Sequence, residues 1–216
     1  LFRSERANSA PSFPPLTTSA LVPLEHIYEV DERTNAHGGV ITRVNKRDAS
    51  AIASWCKDNQ LQSIAISLLH SYRNPDSERN LRTLLLREDS SLAITLSSEV
   101  LPEAREQERT IQTCLTAALR TLFAAHFKNV TYFTSGQNIC DSPLIMQSSG
   151  GLQNVPAVRA RPLTTVLSGA SATAVGMALS PLSQDFSDVL MFDMGGTSTD
   201  VSLIRNGNPF MTTRGH

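Results

Sequence analysis

Asp193-Met194-Gly195-Gly196-Thr197-Ser198-Thr199-Asp200 carries the densest chemistry in this sequence. The apolar run from Val189 to Phe192 leads into Asp193, and a second apolar run follows Asp200. That order predicts strand, tight turn, strand, a β-hairpin over 189–204. Gly195 and Gly196 lack a Cβ and tolerate φ > 0, so their peptide N–H groups can close on an anion. Thr197, Ser198 and Thr199 add hydroxyl donors. The flanking carboxylates suit Mg²⁺, which takes oxygen ligands and keeps several waters. The expected chemistry is a grip on phosphate groups with a metal beside it. An ordinary glycine turn is the simpler alternative. Small polar residues held between two carboxylates favour phosphate over it.

The elements that must position this hairpin follow an α/β pattern. Ser9 to Ser19 is rich in Ser, Pro and Thr and reads as a loop or lead-in. From Gly38-Gly39 the pattern becomes regular. Val40 to Val44 predicts a strand, and Asp48 is placed to cap a helix carrying Ile52, Trp55 and Cys56 on one side. Ser63 to Leu69 is a nearly continuous apolar run, as expected of a buried central strand. Asn74-Pro75-Asp76 predicts a turn, with Asp76 or Ser77 capping a helix that holds Leu81, Leu84 and Leu85. Ala93 to Leu96 predicts the next strand. Strand, helix and strand in that order argue for a βαβ unit with parallel pairing.

Past Pro102 the character changes. Glu106 to Phe127 predicts a long helix whose apolar stripe is Ile111, Leu115, Ala118, Leu119, Leu122 and Phe123, facing the core beside the hairpin. Leu144-Ile145-Met146 predicts a strand running into Gln147-Ser148-Ser149-Gly150-Gly151. Thr164 to Leu179 holds Ser168-Gly169 and an Ala-rich stretch. These features divide the chain into a lead-in (1–35), a βαβ subdomain (36–100) and a second part with the hairpin (101–216).

Composition excludes more than it selects. A formal net charge of -1 gives no electrostatic reason to bind nucleic acid or an anionic membrane. Apolar runs are broken well short of membrane-spanning length. The start carries Arg3, Glu5 and Arg6 with no apolar core after them, unlike a signal peptide. Cys56, Cys114 and Cys140 are scattered without metal-ligand spacing, as expected of reduced thiols in a cytoplasmic protein.

Other polar residues have two readings. His70, at the end of an apolar run, either reaches a substrate or bonds a loop carbonyl. Arg105, Glu106 and Arg109 either offer a fork to a substrate carboxylate or decorate a helix N-terminus with an i,i+4 ion pair. Ser148 with Gly150-Gly151 either lines a cleft or forms a turn. Ser168 has no His or Asp partner in the pattern, which argues against nucleophilic catalysis.

Several segments, in order, resemble the hydantoinase A/oxoprolinase family of the actin–sugar kinase–Hsp70 ATPase superfamily. They are Ser67-Leu68-Leu69-His70-Ser71-Tyr72 with Asn74-Pro75, then Pro102-Glu103-Ala104-Arg105-Glu106-Gln107-Glu108-Arg109-Thr110, then Met146-Gln147-Ser148-Ser149-Gly150-Gly151-Leu152. Leu167-Ser168-Gly169 and the Asp193–Val201 hairpin complete the set. The resemblance runs from about Tyr28 onward. It implies an α/β, actin-like (ribonuclease H-like) ATPase fold, incomplete here, with mixed sheets flanked by helices.

It further implies ATP and Mg²⁺ as cofactors, and phosphorylation of a substrate carbonyl oxygen before a cyclic amide such as 5-oxoproline or a hydantoin is opened. Relatives of that family activate ketones for carboxylation. By the match, Gly195, Gly196, Thr197, Ser198 and Thr199 hold ATP phosphates. Asp193 orients the metal, and Asp200 supports the turn or the metal's water shell as the second catalytic carboxylate. The superfamily clamps nucleotide between two hairpins, and no Asp-Gly-Gly-Thr element precedes residue 193 here. Ala170 stands where the family usually has Pro. The chain therefore resembles a middle piece, with the remainder of a polypeptide or a B-type subunit as partner. A non-catalytic interaction module is the alternative.

Overall fold

The computed structural model describes residues 21–136, 142–196 and 199–210. Ser9 to Ser19, Cys140, Thr197 and Ser198, singled out above, lie outside the described residues. The chain combines parallel and antiparallel pairs in small sheets flanked by helices.

The first half is the βαβ unit that the pattern predicts. β1 (Arg33–Thr34) and β2 (Val40–Thr42) form an antiparallel pair, and α1 (Lys46–Asp58) follows. β3 (Ser63–Ile66), α2 (Asp76–Glu88) and β4 (Ala93–Leu96) come next, with β3 and β4 parallel. Ala49, Ile52 and Cys56 of α1 pack with Leu81 and Leu85 of α2 and with Ile66, Leu92 and Leu96. Leu85 is fully buried, so truncation to Ala there should cost about 2–5 kcal/mol.

Three local expectations change. The α1 cap is Asn45, whose Oδ1 accepts from the N–H groups of Arg47 and Asp48. Asp48, the expected cap, sits at the third helical position and accepts from Asn45 N, completing a capping box. At α2 neither Asp76 nor Ser77 caps; Asn74 Oδ1 receives the Asp76 N–H instead. The third concerns β3, which stops at Ile66 and pairs with β4 alone among the described residues. Among the described residues it lies at the edge of its sheet, and it ends before Leu69, where side chains claim the peptide groups of Leu68.

α4 (Glu106–Gly136) packs on β3, β4 and the short α3 (Ser97–Val100). Its inward face is not the expected apolar stripe. Arg109, Thr113, Thr116, Ala117 and Phe127 are buried, whereas Ile111 and Leu122 are exposed, Leu122 at 66%. Small and hydroxyl-bearing side chains let the helix approach the strands closely. Ser63 Oγ donates to Ala117 O, and Ser67 Oγ bonds Thr110 Oγ1 at 2.7 Å. A simple apolar period misses this because the inward face satisfies polar groups rather than excluding them.

The second half begins with β5 (Leu144–Met146) antiparallel to β6 (Leu152–Asn154), followed by α5 (Val155–Ala160), which Asn154 caps. A 3-10 turn at Pro162–Thr165 leads into α6 (Ser168–Ala178) and α7 (Pro181–Gln184). β7 (Asp188–Met194), β8 (Thr199–Arg205) and β9 (Asn208–Pro209) form an antiparallel sheet. This is the predicted hairpin, but its helical neighbour is α6 rather than α4. Among the described residues no helix is long and apolar enough to cross a membrane.

Candidate phosphate-binding hairpin

Strand alternation and register set the hairpin's chemistry. Asp193 lies directly opposite Asp200, Met191 opposite Ser202 and Val189 opposite Ile204. These pairs share one face, because cross-strand partners point the same way. Met191 and Ile204 are buried on that face, which packs on α6. Leu190, Phe192, Met194 and Val201 occupy the opposite, exposed face. Burial of Met191 and Ile204 thus fixes the register, and the register places both carboxylates on the α6 side near the tip.

Like charges directly opposite each other in a sheet repel. Asp193 is half-buried and Asp200 exposed, and neither forms an ion pair among the described residues. The Thr173 hydroxyl of α6 is 3.1 Å from Asp193 Oδ2 and 3.0 Å from Gly169 O. It has one proton, so it serves one acceptor at a time. Asp193 therefore keeps acceptor capacity for another donor or for a cation. No group of three or more His, Cys, Asp or Glu residues converges among the described residues. A hard cation here would rest on two carboxylates, with the remaining positions left to phosphate and water. Such a sparse oxygen set fits Mg²⁺.

Gly195 and Gly196 are exposed at the tip. A Cβ at Gly196 would meet nothing within 4 Å, and its φ is outside the left-handed region. The expected need for φ > 0 does not apply at Gly196; what its missing side chain leaves is open space for a ligand to reach the backbone. Thr199 pairs with Met194 at the start of β8.

Among the other candidates Arg105 is exposed, and Arg109, His70 and Ser148 bond within the fold. Arg109 is 1% exposed. It donates Nε to Ser97 Oγ (3.1 Å), Nη1 to Glu103 O (2.8 Å) and Nη2 to Leu68 O (3.0 Å). Glu78, at 0% exposed, accepts from Leu68 N (3.0 Å), Ser97 Oγ (2.6 Å) and Ser98 N (2.9 Å). The two buried charges meet through the Ser97 hydroxyl and grip both peptide groups of Leu68. Arg109 is thus spent on structure, and the expected ion pair in the first turn of α4 does not form; the pairs present among the described residues are Arg82–Glu99 and Arg205–Asp188. The sequence reading missed Glu78, because its position three residues after a helix start looks like an exposed cap.

His70 takes φ 59° in the turn after β3, with its carbonyl accepting from Arg73 N and Asn74 N. Its ring lies edge-on to Tyr72, and the Arg109 guanidinium covers that tyrosine at 5.7 Å. Ser148 docks its turn onto the start of α6. Its Oγ accepts from Leu167 N (2.9 Å) and its carbonyl from Ser171 Oγ. Gly150 has φ 81°, and a Cβ there would press on Val175 at 3.1 Å. Thr173 was not singled out in the sequence, since one threonine in an Ala-rich helix carries no signal of its own.

These features define an α/β segment that carries a glycine-tipped hairpin. The chain belongs to the hydantoinase/oxoprolinase family: the hydantoinase/oxoprolinase family model matches residues 109–216, and the model of the family's N-terminal region matches residues 2–89. The chain is 27% identical to caprolactamase subunit alpha of Pseudomonas jessenii, over 91% of this chain and 28% of that protein. It is 32% identical to 5-oxoprolinase of Saccharomyces cerevisiae, over 79% of this chain and 13% of that protein. The nucleotide-free structure of acetone carboxylase, an enzyme of ATP-dependent acetone carboxylation, superposes with TM-score 0.67 at 26% identity. That match covers 83% of this chain and 26% of the other. The chain therefore spans about a quarter or less of the length of these relatives.

Proposed function

We propose that this chain supplies one phosphate-gripping hairpin to an ATP-dependent enzyme that phosphorylates a carbonyl oxygen of a cyclic amide before ring opening. The observation that carries the reading is the register that sets Asp193 opposite Asp200 beneath an open glycine tip. When bound, Mg²⁺·ATP supplies the phosphoryl group and the charge neutralisation that its transfer needs. Gly195 and Gly196 present backbone N–H groups to phosphate oxygens, with no side chain in the way. Thr197, Ser198 and Thr199 add hydroxyl donors. Asp193, steadied by Thr173, orients the metal or its waters, while Asp200 holds the water shell from the facing strand. Phosphorylation turns a poor electrophile into a reactive one by making the carbonyl oxygen a leaving group.

The remainder of the polypeptide, or a B-type subunit, contributes the other half of the clamp and the substrate pocket. Caprolactamase and 5-oxoprolinase, by their names, act on cyclic amides, which supports this substrate class. The structural likeness to acetone carboxylase favours ketone carboxylation as the second reading. The complete polypeptide or its reconstituted complex, assayed for ATP hydrolysis, distinguishes them. Stimulation by 5-oxoproline, a hydantoin or a lactam is expected. Stimulation by ketones with bicarbonate alone supports carboxylation, and no stimulation by any of these favours a non-catalytic module.

A further inference from the structure

Away from the hairpin, α4 and α5 enclose a groove of about 350 Å³ lined by Arg120, Ala124, Pro156, Arg159 and Ala160. Two guanidinium groups line it, and among the described residues neither pairs with a carboxylate. Arg120 is half-buried, and its Nη1 donates to Thr95 Oγ1 of β4 at 3.3 Å. That bond holds one fork in place across the seam between the two halves of the chain. Arg159 lies in the last turn of α5, where the helix dipole favours a cation. The rest of the lining is two alanines and a proline, which offer no hydrogen-bond donor or acceptor from a side chain.

Arg120 is held by Thr95 and Arg159 is exposed, so both guanidinium groups line the same groove with donors left for an anion. A guanidinium fork fits the planar or tetrahedral oxygens of carboxylate and phosphate. We propose that the Arg120–Arg159 groove binds a small oxyanion, a carboxylate or a phosphate, separate from the nucleotide phosphates at the hairpin. The groove's volume falls in the range of small-molecule sites. The alanine and proline lining accommodates a short apolar body beside the charged head.

The test follows the side-chain Nε–H signals of Arg120 and Arg159 by NMR as the purified protein is titrated with succinate, inorganic phosphate or pyrophosphate. Ionic strength is held constant with NaCl. Saturable shifts of both signals are expected with at least one class of anion, and the responding class identifies the head group. Arg120→Gln and Arg159→Gln should each weaken that binding tenfold or more, while Arg120→Lys, which keeps the charge, should retain part of it. Gly196→Val, which blocks the hairpin tip, should leave the titration unchanged, so failure of the hairpin reading would not disturb this one. Shifts that do not saturate, or saturable binding that survives in a folded Arg120→Gln/Arg159→Gln double variant, would mean an adventitious ion only and would overturn the proposal.

Discussion

The Glu78–Ser97–Arg109 cluster and the Asp193–Asp200 hairpin both concentrate charge, and they treat it in opposite ways. In the first, both charged groups are buried and multiply bonded: Glu78 accepts three hydrogen bonds and Arg109 donates three. In the second, two like charges face each other across a strand pair, and a single threonine hydroxyl of α6 reaches one of them, Asp193. A buried network of opposite charges, each held by three hydrogen bonds, is a structural fastening. Two like charges with spare acceptor capacity beside an open glycine tip support the proposed role of holding a ligand from outside. Satisfaction, rather than the mere presence of charge, separates scaffold from site in this chain.

Removing one partner from the buried cluster should give the largest effect. Arg109→Met leaves the Leu68 and Glu103 carbonyls short of a donor and the buried Glu78 without its compensating charge, and should cost about 3–5 kcal/mol of stability. Urea unfolding checks this. Adding Glu78→Met should cost less than the sum of the two single changes, because the second removes the charge that the first stranded. A loss below about 1 kcal/mol for Arg109→Met would mean that the cluster is not a fastening.

The hairpin should respond with the opposite sign. Asp200→Asn removes the like-charge contact and should stabilise the ligand-free protein by up to about 1 kcal/mol, read as a raised urea midpoint. A destabilised Asp200→Asn would contradict the claim that the pair is strained without a ligand.

The smallest effect lies on the surface. The Ser91 hydroxyl and then its backbone N–H hold Asp89 below the usual carboxylate range. A lowered carboxylate pKa contributes stability above its unfolded value and loses it as pH falls through the folded value. Ser91→Ala should move the Asp89 titration, followed by carboxyl NMR, upward toward the ordinary range. An unmoved titration would show that the serine does not set it.

Much of the fold was legible in the sequence because local pattern and tertiary demand agree. The parallel β3–α2–β4 unit and the β7–β8 hairpin follow directly from short apolar runs between turn residues. The inward face of α4 was not legible. Its inward face is built around buried Arg109, which donates to the Leu68 carbonyl 41 residues away in sequence, and no period in one helix encodes that. The caps shifted because the helices begin at Lys46 and Asp76, which leaves Asn45 and Asn74 to receive the first free N–H groups. At the candidate site, the residues and their order were readable. The face was not, since it depends on Met191 and Ile204 meeting α6, and Thr173 becomes visible only once that packing is known.

The most direct measurement is Mg²⁺·ATP binding to the complete polypeptide or complex carrying Gly196→Val or Asp193→Ala, by calorimetry beside thermal unfolding. Gly196 borders open space in this chain, so Gly196→Val should melt as the unaltered protein does and yet lose nucleotide affinity by at least tenfold. Asp193→Ala should lose more Mg²⁺-dependent binding than Asp200→Ala. Folded variants at both positions that bind and turn over ATP normally would contradict the phosphate-gripping role of the hairpin.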